Sequence, residues 1–321
     1  MADFILNNND LNTFAETPLA VQVDALMRQQ EQNWSMLREN LGGLALSEIK
    51  RLELADYDVL LQCNPKRMKS TTAKVDPESV AKRACILCRE NLPPEQRGLM
   101  FDDFYLLCNP YPILEKHLTV VHQKHVPQAI SEREPAMLAL AKALGEDFVV
   151  LYNGPRAGAS TPEHLHFQAG LRYRLPVFQH LKQEDNLKKI DQRYGVTIST
   201  LKDYFAANVL FTSADGAALA GEVQKMIVRF AGLMEGTDEP RLNLLVTHNG
   251  QEWKVLFYPR REHRPSFYHE GTYLISPGSV DMGGLLIAPR RDDFQRISAT
   301  DVSRIFKEIT IEEGLFDKLI G

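Results

Sequence analysis

The chain has 321 residues, of which 44% are hydrophobic and 25% charged, so it can bury a sizeable core. Its formal net charge of -5 argues against nucleic acid as a partner, because a phosphate backbone needs a basic surface. No apolar run is long enough to cross a bilayer, and Met1-Ala2-Asp3-Phe4 opens no signal peptide, so a cytoplasmic protein with no membrane partner is expected.

Residues 1–55 read as an N-terminal helical segment. Pro18 at a first helical position, with Thr17 as cap, starts a helix over 18–41 in which Val23, Leu26, Met27, Trp34, Leu37 and Leu41 recur at helical spacing. Gly42-Gly43 should separate it from a second helix near Ser47. A strand over 58–63 leads into a basic loop, 64–74, with Arg67, Lys69, Ser70 and Lys74. Of these, Arg67 is the best phosphate ligand, since a guanidinium fork matches phosphate oxygens. Cys85 and Cys88 follow. In a reducing compartment that pair is a metal or redox candidate.

Strands are expected over 104–108 and 117–122, around the turn Asn109-Pro110-Tyr111-Pro112. A helix over 132–144 would be capped by Ser131 with Glu134 and stopped at Gly145. Further strands are expected over 148–152 and 164–170. The second half reads as a weaker repeat. Residues 242–246 and 253–257 form a hairpin through His248-Asn249-Gly250. The basic run 259–265 matches the run 122–127, and Leu285-Leu286-Ile287 takes the place of residues 164–168, leaving this copy without a nucleophilic histidine.

The chemistry gathers in His164-Leu165-His166-Phe167-Gln168. In a strand, His164, His166 and Gln168 share one face, about 6.6 Å per step, while Leu165, Phe167 and Ala169 take the other. The preceding Gly158-Ala159-Ser160-Thr161 is small and hydroxyl-rich, which lets backbone N–H groups approach an anion. A neutral imidazole can carry a phosphoryl group, and a glutamine amide can hold a phosphate oxygen without titrating. Glutamine in place of a third histidine favours transfer to an acceptor over release to water.

This pattern resembles the transferase branch of the histidine triad superfamily, which includes nucleotide-sugar phosphorylases, uridylyltransferases and dinucleoside polyphosphate phosphorylases. The likeness is clearest over 58–170. It implies an α+β, duplicated histidine-triad-like fold of antiparallel sheets with packed helices. The halves would span 56–190, which is catalytic, and 191–321. It also implies that His166 is the nucleophile, Gln168 its partner, and Asn153, Ser160 and Arg67 substrate ligands; Arg156, in the loop before the motif, is a second phosphate candidate at a position where the family varies. Cys85, Cys88, His125 and His164 would hold a structural zinc ion, a donor set that suits zinc. The implied substrate is a nucleotide sugar or dinucleotide, with phosphate or a sugar phosphate as acceptor and no organic cofactor. Two other readings stay open: a hydrolase or oxygenase with a catalytic metal among the histidines, and a non-catalytic nucleotide-binding regulator.

Overall fold

The structure, a computed structural model, describes residues 4–54, 56–234 and 239–321. The start of the N-terminal stretch (Met1-Ala2-Asp3) and the side chains of Lys69 and Ser70 lie outside the described residues.

The strands, in chain order, are β1 (Ile49–Leu54), β2 (Tyr57–Cys63), β3 (Gly98–Phe101), β4 (Phe104–Cys108), β5 (Leu118–His122), β6 (Phe148–Asn153), β7 (His166–Leu171), β8 (Leu187–Arg193), β9 (Val196–Leu201), β10 (Val209–Ser213), β11 (Leu242–His248), β12 (Trp253–Pro259) and β13 (Leu285–Ala288). Among the described residues, one antiparallel sheet runs β3-β4-β5-β7-β6-β11-β12-β10-β9-β8. Read inward from its two edges, it is the same motif twice. Three meandering strands lead to a crossover helix, Glu134–Leu144 or Gly216–Leu233, and the helix returns to a central pair of strands. The halves join where β6 pairs with β11, Asn153 opposite Asn243.

Both faces of this sheet are buried, as the long apolar runs Val149-Val150-Leu151 and Leu244-Leu245-Val246 require. One face packs on the crossover helices through Met137, Leu140, Leu144, Val223, Ile227 and Phe230. The other packs on a small sheet, β1-β2-β13, and on helix Ala299–Ile309 through Val302, Ile305 and Phe306. Each fully buried Leu or Phe contributes about 1.5–3 kcal/mol, so this layering outweighs local propensity.

It does so in the N-terminal segment. The single helix expected over 18–41 is two helices, Leu19–Asn33 and Ser35–Ala45, broken at an extended Trp34 whose ring is 2% exposed. Thr17 does not cap; its hydroxyl accepts from the Phe14 N–H. Gly42 and Gly43 lie inside the second helix, because buried Leu37 and Leu44 outweigh a glycine penalty of about 1 kcal/mol each. Strand β1 stands where a helix near Ser47 was expected. Helix Glu134–Leu144 begins at Arg133 without a side-chain cap, so the Ser131–Glu134 box does not form, but Gly145 ends it at φ 82. Residues 65–71 of the basic loop wind into short helical turns.

Two expectations about the motif change as well. Strand β7 starts at His166, so His164 lies in the bend before it. The counterpart of β7 is β12 rather than residues 285–287. β12 follows β11 as β7 follows β6, whereas β13 pairs parallel with β2 in the other sheet. β12 carries no histidine, so the second copy still lacks a nucleophile.

Behind β6 lies a buried carboxyl pair. Glu239 accepts from the Ile130 N–H (2.7 Å) and from the Tyr152 hydroxyl, and Glu134 faces it, with Glu132 adding negative charge beside Glu134. Burial pushes Glu239 up to about 7, and the nearby Glu134 adds to that. Its folded pKa exceeds its unfolded value. Its contribution to stability is therefore complete at low pH and is lost as pH rises through about 7. Urea unfolding of the wild type should show stability falling between about pH 5 and 8, and Glu239→Gln should flatten that slope.

Candidate active site

His166 opens β7, opposite Val121 of β5. Leu165, Phe167 and Ala169 point into the helix-side core, which turns His166 and Gln168 to the opposite face. The His166 backbone N–H donates to Gln128 Oε1 (2.8 Å). Gln128 Nε2 donates to the carbonyls of Asn153 (2.9 Å) and His166 (3.0 Å), so one side chain clamps the ends of β6 and β7. The imidazole Nδ1 donates to the His164 carbonyl (2.8 Å). That fixes the tautomer and leaves the Nε2 lone pair free. Burial lowers the pKa of this ring, so it is neutral near pH 7.

Gln168 is held by His117. The Ile113 N–H donates to His117 Nδ1 (3.2 Å), so the His117 proton sits on Nε2 and is donated to Gln168 Oε1 (2.8 Å). Burial and the Arg67 charge drive His117 down to about 3, so it stays neutral. With its oxygen engaged, Gln168 presents its NH₂ group as the free donor.

Gln168 lines a narrow cleft of about 60 Å³ together with Arg67, Asn153, Ser160, His263, Arg264 and Asp281. By the measure in which one water needs about 10–15 Å³, that volume holds several waters and leaves room for a phosphate-sized group. Arg67 donates to the Tyr111 carbonyl (3.1 Å). Burial lowers it to about 10, so it remains a cation at neutral pH. Burial raises Asp281 to about 6, although the N–H groups of Gly278 and Ile287 hold its oxygens. His263 is depressed to about 4 by burial and by Arg264 and Arg260, and is therefore neutral.

The second half supplies one wall. Asn153 Oδ1 accepts from Asn243 Nδ2 (2.9 Å) and from the Ser279 N–H (2.7 Å), fastening the loop that contains Gly278 to β6. The loop after β6 crosses this loop so closely that a Cβ on Gly158 would lie 2.7 Å from Gly278 Cα, and Gly158 has φ 99. Gly158→Ala should therefore lose about 1–3 kcal/mol in urea unfolding and weaken phosphate binding by isothermal titration. Arg264 spans the cleft, donating to Ser276 Oγ (3.0 Å) and to the carbonyls of Thr71 and Ala73.

Beside this cleft, Cys85, Cys88, His125 and His164 converge, with all four ligand atoms within 4.8 Å of one another. Cys85 Sγ lies 3.3 Å from His164 Nδ1, and Cys88 Sγ 3.1 Å from His125 Nδ1. Two sulfurs and two imidazole nitrogens at this spacing fit a tetrahedral metal ion. His164 Nε2 donates to the His122 carbonyl (2.7 Å), the outer bond that orients a ligating imidazole. His166 is no member of this group. Four protein ligands close it, which disfavours the catalytic-metal reading.

Of the residues singled out from the sequence, Arg67, Asn153, Ser160 and Gln168 meet at the cleft. His166, 4% exposed, is not among the lining residues but stands two residues before Gln168 on the same face of β7. Arg156 is exposed in the turn before the motif and its side chain is not part of this cleft, because that turn directs Ala157 and Ala159 inward instead. In the cluster 260–264, Arg260 is a fully buried brace to Asn243 (2.8 Å), while His263 and Arg264 reach the cleft. Sequence reasoning missed Gln128, Asn243 and Asp281, which carry no local signature. It gave no site role to His117, which stands just before β5, the strand that pairs with β7.

The comparisons with known proteins bear on the fold and the sequence. Residues 26–171 match a family described as a domain of unknown function (DUF4922), and residues 178–320 match the GDPGP1-like, C-terminal domain. GDP-L-galactose phosphorylase 2 of Arabidopsis thaliana is 25% identical over 197 residues. That match takes in 60% of this chain but only 44% of the relative's length. Yeast Ap4A phosphorylase Apa2 has a TM-score of 0.61 at 17% identity, with 89% of this chain and 97% of that one covered. Its complex with Ap4A gives 0.60 at 15% identity, covering 89% and 97%. At these identities the structural likeness shows the fold. The chain is thus similar in sequence to a GDP-L-galactose phosphorylase and in fold to an Ap4A phosphorylase, and its second half matches the GDPGP1-like, C-terminal domain.

Proposed function

We propose that the chain is a nucleotidyltransferase that works by phosphorolysis on a nucleoside diphosphate sugar or a dinucleoside polyphosphate. One observation carries this reading: the His166 imidazole is pinned through Nδ1 to the His164 carbonyl, on the same face of β7 as Gln168, which lines a phosphate-sized cleft. Nε2 attacks the α-phosphorus, a P–N bond forms, and the P–O bond to the sugar phosphate or nucleotide breaks, its oxygen keeping the electron pair. Phosphate oxygen then attacks the same phosphorus and the P–N bond breaks. Gln168 NH₂ and the Arg67 cation face the non-bridging oxygens as charge shifts, which preorganised donors stabilise best.

The four-ligand group would hold a structural zinc ion in a cytoplasmic protein. Zinc there would supply folding energy and stiffen the bend that carries His164, with no open position for substrate. The names of the two phosphorylases support this substrate class. The test is incubation with α-labelled GDP-sugar and with labelled Ap4A, each without phosphate. An acid-labile label on His166, discharged by added phosphate, is the expected result. Binding of nucleotide without any labelled protein would sink the proposal and leave a silent binder.

A further inference from the structure

Arg83 lies outside the cleft lining, two residues before Cys85, yet its guanidinium ends on the loop that forms the cleft wall. Nε donates to Glu163 Oε1 (3.0 Å) and Nη2 to Glu163 Oε2 (3.0 Å). Nη2 also donates to the Ser160 carbonyl (3.0 Å), and Nη1 to the Lys74 carbonyl (3.4 Å). The pair is mostly shielded, with Arg83 29% and Glu163 11% exposed, which makes it more than a surface ion pair.

Resting on the transferase reading, we propose that Arg83 is a positioning residue that sets the Ser160 wall of the cleft. The fork onto Glu163 fixes the plane of the guanidinium. The further N–H then fixes the Ser160 carbonyl. In a trans peptide the carbonyl and the next N–H point opposite ways, so holding one sets the plane of the Ser160–Thr161 peptide and with it the aim of the Ser160 side chain. Lysine has no planar fork and cannot hold both acceptors in one geometry. The brace also joins the two segments that meet at the Cys85–His164 contact (3.3 Å), because Glu163 adjoins His164. The loop before the motif is thereby held at two points, one at the metal ligands and one at Arg83.

The test uses full-length Arg83→Gln and Arg83→Lys. Four readouts are taken: bound metal, thermal midpoint, amide hydrogen exchange over residues 157–163, and steady-state phosphorolysis of a GDP-sugar or Ap4A. In Arg83→Gln, exchange should rise about tenfold or more and kcat fall about 10- to 100-fold, with KM for the nucleotide within about threefold. Metal content and midpoint should stay near wild type. Arg83→Lys keeps the charge without the fork and should remain within a few-fold of Arg83→Gln. Unchanged exchange, faster exchange with unchanged kcat, or a parallel loss of metal and stability would each overturn the assignment. If the wild type turns over neither substrate, the transferase reading is what fails. Exchange then decides the brace alone, upheld by faster exchange with metal retained and overturned by unchanged exchange.

Discussion

His166→Ala should lose nucleotidyl transfer by at least about 10⁴-fold while keeping its fold, since it removes the attacking lone pair. The ring makes one hydrogen bond of its own, to the His164 carbonyl, and the backbone N–H that Gln128 holds survives the substitution. The loss of stability should therefore be about 1–2 kcal/mol, seen as a modest shift in the urea midpoint with the slope unchanged. Wild-type kinetics should be ping-pong, with net retention of configuration at phosphorus from two in-line steps. Turnover within tenfold of wild type in the alanine variant would remove His166 from the mechanism. So would a wild type whose initial-rate lines intersect instead of running parallel.

The second large effect is expected at the four candidate metal ligands and should appear in stability before chemistry. Cys88→Ser removes a sulfur 3.1 Å from His125 and leaves two imidazoles and one thiol around the same space. A three-ligand remnant binds zinc far more weakly, and the lost binding energy is folding energy, so the variant should be destabilised by about 4 kcal/mol or more. Chelation of the wild type should lower the thermal midpoint at concentrations where residual folded protein still turns over. An active Cys88→Ser protein, free of metal and as stable as wild type, would contradict a structural role. Immediate loss of activity on chelation with the midpoint unmoved would point to a metal in the reaction itself.

Much of the first half was legible in the sequence because its signals are local. Alternation in 165–169 set which face His166 takes, and glycine at 145 ended a helix. What could not be read depends on long-range pairing. Asn153, Asn243 and Ser279 meet only because β6 pairs with β11, and Arg67 meets Arg264 only through the loop that follows β12. The misplaced repeat has a similar cause. Leu285-Leu286-Ile287 is apolar enough for a central strand, and nothing local says that it pairs parallel with β2 instead. The N-terminal helices were misjudged because burial of Trp34 overrides a continuous helical spacing.

The antiparallel junction of β6 and β11 has one further consequence. It sends the second half's equivalent of the β7 entrance to the far end of the sheet, where the hairpin ends in His248 and Trp253. There the Trp253 indole N–H is spent on the Leu138 carbonyl (2.9 Å), and the His248 Nδ1 receives the Gly250 N–H (3.1 Å). The equivalent place in the second half is taken by its own hairpin turn. A pre-steady-state burst should count one covalent equivalent per polypeptide, whatever number of polypeptides assemble.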